Sequence, residues 1–132
     1  MTEDKSVGLG LFALRIGLAI LFLIWALDKL LKVEHGQAVF GAFYGQEGIS
    51  TTIVYALGAL QLLLVLAFAA GAFKTVTYGA LLLMHLATTI VSLKLHADPF
   101  GTPNILFWAN WPILGGLIAL FLMRKYDTMF SA

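Results

Sequence analysis

No formal charge falls between Gly48 and Phe73, a run that includes YALGALQLLLVLAFAAGAF. At about 1.5 Å per residue it outreaches the roughly 30 Å hydrocarbon core of a bilayer, with length to spare for tilt. Three other stretches read the same way. Val7 to Leu27 is apolar apart from Arg15, and Thr75 to Leu93 makes a third. Ile105 to Met123 runs apolar up to Arg124 and Lys125, after the turn-prone DPFGTPN of Asp98 to Asn104. The expected fold is all-α, an integral membrane four-helix bundle, antiparallel, in a single domain over residues 1–132. Its spans are expected at about 7–31, 49–72, 75–96 and 105–123.

Composition agrees. Hydrophobic residues make up 61% of the chain and charged residues 11%, against roughly 45–50% and about 25% in soluble domains. Too few polar residues are present to cover the helices of a water-soluble fold of this size. The net charge of +1, with eight Lys plus Arg scattered along the chain, offers no basic stripe for a phosphate backbone, so nucleic acid is not an expected partner. Without cysteine the chain forms no disulfide, thiolate metal site or thiol redox couple of its own, and any redox chemistry has to be borrowed.

MTEDKS is acidic and the first apolar run is full length, so the first span is expected to be retained rather than cleaved. An even number of spans puts both termini on one side with Lys5, Lys74, Arg124 and Lys125, while Lys29, Lys32 and Lys94 lie opposite. The excess predicts both termini cytoplasmic, in the inner membrane of a bacterium. The outer connection, residues 34–50, carries Val39, Phe40, Phe43 and Tyr44 at helical spacing between Gly36 and Gly45. A short interfacial helix is expected there, with Phe40, Phe43 and Tyr44 as the residues that would dock a partner. The inner connection at Ala72 to Lys74 is so short that the second and third spans must be neighbours. Ala13 and Gly17, Ala67 and Gly71, and Gly115 and Ala119 form small-xxx-small pairs suited to close helix packing, within the bundle or between copies of a homo-oligomer.

The few polar residues inside the spans carry the functional reading. An arginine within a span costs about 2.5–3.5 kcal/mol on insertion scales. Arg15 therefore either snorkels to the cytoplasmic end or holds a carbonyl or an anionic group. Trp25, Asp28, Lys32 and His35 share a face at the other end of that helix; Trp25 fits an aromatic belt, and Asp28 with Lys32 suits a helical ion pair. His85, Thr89, Ser92 and His96 follow steps of four, three and four, with Thr88 alongside, a polar seam in an apolar helix. The imidazole of His85 suits contact with a quinone carbonyl, or a hydrogen bond to Gln61 in the second span. His35 and His96 with Glu34 and Asp98 are of metal-ligand type, but no HxxxH or ExxH spacing fixes two ligands together, so no metal is expected.

ALRIGLAILFLIWALDKL, in which Leu14 and Arg15 begin the first span and Lys29 closes it, and FWANWPILGGLIALFL, in which Asn110 precedes Leu114, Gly115 and Gly116, resemble the DoxX family of small four-helix bacterial membrane proteins. The likeness extends over nearly the whole chain in length and span layout. It implies a membrane subunit attached to redox metabolism, since the family takes its name from components of a thiosulfate to quinone oxidoreductase. Related branches carry a cysteine pair for thiol exchange, which this chain lacks.

Three readings compete. The first is a redox-linked accessory subunit that is not an enzyme alone. It has no intrinsic cofactor but binds a quinone between helices, with Arg15, Trp25, Asp28, Gln61, His85 and Trp108 as ligand-binding candidates. The second is a scaffold or assembly factor that docks a partner membrane or redox protein through the outer loop and uses its polar residues to pack helices. The third is a small-solute carrier or channel. It ranks last, because Pro112 interrupts the fourth span without a matching break in the second.

Overall fold

The computed structural model of the chain describes residues 2–45, 48–96, 100 and 104–132, and within these the structure is all-helical, with no strand. Helix α1 (Glu3–Leu31) is capped by Thr2, whose hydroxyl accepts from the Lys5 amide at 3.2 Å, and Glu3 and Asp4 complement its dipole. The chain leaves helical geometry at Lys32 and at once enters α2 (Val33–Tyr44), the short helix expected in the outer connection. Gly45 ends α2 at φ 67°, a left-handed cap that glycine adopts without strain. Ser50 caps α3 (Thr51–Ala69). A tight turn through Gly71 (φ 69°) and Phe73 (φ 50°) then leads into α4 (Lys74–Val91), and a single turn, α5 (Leu93–His96), follows it.

Helices α1, α3 and α4 are each long and apolar enough to cross a membrane. The fourth apolar stretch is not the single α-helix expected from Ile105 to Met123. It begins as a 3-10 helix, Asn104–Ala109, and becomes α6 (Asn110–Leu122) only afterwards. Pro112 supplies the reason: it has no N–H, and its ring would collide with the Trp108 carbonyl of a continuous α-helix. The two pieces, at about 2.0 and about 1.5 Å per residue, still rise ~30 Å together. The turn expected at Asp98 to Asn104 lies mostly outside the described residues.

Side chains turned inward recur at steps of three and four. On α1 they include Gly8, Leu11, Arg15, Leu18, Phe22 and Ala26, and on α3 they are Val54, Gly58, Gln61, Val65 and Phe68. Glycine sets how closely the helices approach. A Cβ on Gly58 would lie 2.9 Å from Cβ of Lys29, and one on Gly36 would lie 2.9 Å from Cγ1 of Val54. The small-residue pairs behave otherwise. Ala13 is exposed, and Gly17 and Gly115 face open space, so these positions pack nothing within the chain; of the pairs, Gly71 alone is a buried glycine, and it meets Ser131. The outer faces carry Ile20, Ile24, Leu60, Leu63, Leu83, Ile90 and Leu122, all exposed. Contiguous apolar surface of this kind is what lipid or a partner chain covers.

Candidate functional site

Arg15 is completely buried, yet it neither snorkels nor stands open to a ligand. Its Nη1 donates to Oδ1 of Asp127 at 2.6 Å, and its Nη2 donates to the carbonyls of Met129 and Phe130 at 2.8 and 2.9 Å. Asp127 is equally buried and accepts a second bond, from the Tyr78 hydroxyl. The residues after the 3-10 turn Arg124–Tyr126 thus form a strap over this end of the molecule. The Ala132 amide donates to the Ala70 carbonyl at 2.7 Å, and Lys74 donates to the Gly71 carbonyl and to the Ser131 hydroxyl. Phe130 sits at φ 48°, a backbone cost offset by its carbonyl's bond to Arg15 and by its ring, 4.9 Å from that of Phe12. The ion pair is self-contained, because acid, base and the carbonyls around them all belong to this chain.

The seam on α4 forms as its spacing predicts. His85, Thr89 and Ser92 are buried and His96 is partly so. The Thr89 hydroxyl donates to the His85 carbonyl at 2.9 Å and the Ser92 hydroxyl to the Thr89 carbonyl at 3.1 Å. Asn110, at the start of α6, joins the seam twice. Its Nδ2 donates to Oγ of Ser92 at 3.2 Å, and its backbone carbonyl lies 3.0 Å from Nε2 of His85. Trp25 stacks on the His85 ring, with centroids 6.1 Å apart and planes 14° from parallel, and Phe22 meets it edge-on at 6.0 Å. Nδ1 of His85 is buried without a hydrogen-bond partner.

Of the ligand-binding candidates, Trp25 and His85 are therefore brought together, and Arg15 is committed elsewhere. Gln61 is buried on α3, but its Oε1 has no partner and the expected bond to His85 does not form, because His85 turns to the α6 backbone instead. Asp28 pairs with Nδ1 of His35 at 2.7 Å rather than with Lys32, since the break at Lys32 folds α2 back towards it. Those residues border a shallow, open concavity with Leu31, Val33 and Glu34. Trp108 is 43% exposed and meets His96 edge-on, apart from the other candidates. Helix α2 is folded onto the helices: the Tyr44 hydroxyl lies 3.1 Å from that of Thr88, and Lys94 donates to the Ala42 carbonyl. Phe40 packs on Tyr44 at 5.4 Å, and the Phe43 side chain lies outside the described residues. No three His, Asp or Glu side chains among the described residues gather where a metal ion could be held.

Tyr78 and Asp127 escaped the sequence reading, and Asn110 entered it only through a family resemblance. For Asp127 a signal existed, because a buried arginine calls for an acid at the same end of the molecule. Compared with known protein families, with curated proteins and with solved structures, the chain finds no match.

Proposed function

We propose that this chain is a DoxX-like accessory subunit of a membrane oxidoreductase, lying in a bacterial inner membrane as an antiparallel four-helix bundle with both termini cytoplasmic. In this reading it binds a quinone against His85 and Trp25. The lipid-facing girdle and the neutralised Arg15 support membrane residence. The observation that carries the ligand is the unpartnered Nδ1 of His85, an acceptor that suits a hydroxyl of the quinone's reduced form, beside the Trp25 ring in a seam whose hydroxyls are already used. The protein supplies position and a polar contact, and the quinone supplies the electron chemistry. Native mass spectrometry of protein released from its own membranes in mild detergent tests this. A stoichiometric quinone that is lost in His85→Ala is expected, whereas a bare oligomer or one carrying only phospholipid would overturn the reading. A reporter fused after Ala132 should be active only in the cytoplasm.

One observation favours a scaffold instead. Arg15, the most costly polar group, makes three hydrogen bonds that hold the fold together, and of its nitrogens only Nε is without a partner. On that reading α2 is the docking element. Tyr44→Ala with Phe40→Ala would then release a co-purifying partner, while His85→Ala would leave it bound.

A further inference from the structure

The donors and acceptors around Arg15 divide along the boundary between the helices and the strap. The donors belong to helices: the guanidinium to α1 and the Tyr78 hydroxyl to α4. The acceptors belong to the strap: both carboxylate oxygens of Asp127 and the carbonyls of Met129 and Phe130. Without the strap, the helices present convergent donors around one positive charge, the chemistry of an anion site. The strap fills that site incompletely. Nε of Arg15 has no hydrogen-bond partner in a residue that is 0% exposed, and Asp127 meets the guanidinium through one oxygen where the fork can take two. Phe130 delivers its carbonyl from a left-handed backbone. The strap also lies on the surface, with Thr128, Phe130 and Ala132 exposed. Among the described residues a single backbone-to-backbone bond, from the Ala132 amide to the Ala70 carbonyl, joins residues 128–132 to the α3–α4 turn. The charge around it is unbalanced: Lys74, Arg124 and Lys125 flank the strap, and Asp127 is the only acid in residues 70–91 and 110–132.

We infer that the strap is a displaceable occupant of a phosphate site: a phosphate group, of a lipid headgroup or free in solution, takes the place of the Asp127 carboxylate on Arg15 and Tyr78. The space it needs is the space the strap gives up, so no helix has to move, and the Asp127 carboxylate passes to water. A tetrahedral phosphate brings more oxygens than a carboxylate, enough to keep the donors that the strap uses and to add Nε, the one it leaves over. Lys74, Arg124 and Lys125 draw the anion to the edge of the strap. This site shares no residue with the pairing of His85 and Trp25.

The test uses the full chain in dodecyl maltoside, a detergent without phosphate. Because the chain has no cysteine, Thr128→Cys with Val76→Cys accepts two nitroxides, one on the strap and one at the start of α4, both at exposed positions. A single short distance is expected at first, and a second, longer one when phosphatidylglycerol or inorganic phosphate is added. Lengthening with phosphatidylglycerol alone makes a lipid headgroup the source, and lengthening with inorganic phosphate makes it the free ion; either supports the site. Sodium chloride at the same ionic strength should change nothing. In the unlabelled, unaltered protein the Nε–H resonance of Arg15 should move to its hydrogen-bonded position on the same additions. Asp127→Asn keeps the shape of the strap without its charge and should tighten phosphate binding about tenfold, whereas Arg15→Met with Asp127→Leu should abolish the response. An unchanged distance with both phosphate sources would overturn the inference, as would equal lengthening with sodium chloride or an Nε–H resonance that stays in place. Asp127→Asn binding no tighter than the parent, or a response that survives without Arg15, would overturn it too.

Discussion

The two polar clusters of this protein differ in charge: one is built around a matched ion pair, the other around an imidazole, hydroxyls and an amide, and each leaves one buried nitrogen unpartnered. At the strap, Arg15, Asp127, Tyr78 and two backbone carbonyls close on one another, and the charges are matched inside the fold. At the seam, His85, Thr89, Ser92 and Asn110 are linked just as tightly, but an acceptor is left over on the His85 ring. The members of both sets are buried, so burial does not distinguish them. A buried ion pair is costly to break from one side, whereas an imidazole with one unbonded nitrogen costs little to replace by an apolar ring.

Substitutions should separate the two. Asp127→Ala leaves a buried guanidinium without its counter-charge and should cost about 3–5 kcal/mol, read as a lowered unfolding midpoint in detergent. Recovery of much of that loss in Arg15→Met with Asp127→Leu would place the cost in the uncompensated charge. Gly58→Leu drives a side chain into Lys29 and Leu30 where α3 crosses α1, and about 1–3 kcal/mol is expected in the same measurement. Asn110→Ala removes the bond to Ser92 but keeps the backbone carbonyl that holds His85, for a loss of about 1 kcal/mol. His85→Phe should be the mildest, within about 1 kcal/mol of the parent, because it deletes an unsatisfied polar atom along with a bond. A His85→Phe loss as large as that of Asp127→Ala would erase the distinction between the clusters.

The three long helices were legible because apolar runs announce themselves without tertiary context, and so was the seam, whose members lie on one helix at fixed steps; the 3-10 start of the fourth stretch was not. Partners that come from different helices were not legible. Spacing along α4 places His85, Thr89 and Ser92 together, but nothing local says that the α6 backbone, rather than Gln61, will face the imidazole. Asp28 was paired with Lys32 by the helical rule, which lapses because α1 stops at that lysine. Arg15 and Asp127 are 112 residues apart and share no pattern. Charge arithmetic narrows the choice even so. With both termini on one side, Glu3, Asp4 and Asp127 are the acids at that end, and the first two lie on the same helix about three turns before Arg15.

That separation has a consequence in time. The arginine is made 112 residues before its carboxylate. At roughly 5–20 residues per second, the first helix waits about 6–22 s with an unmatched cation before the strap exists. During that interval something else must shield the guanidinium, be it water at the membrane surface, a lipid phosphate or the insertion machinery. The final arrangement is therefore an exchange of partners, completed only when the strap folds back.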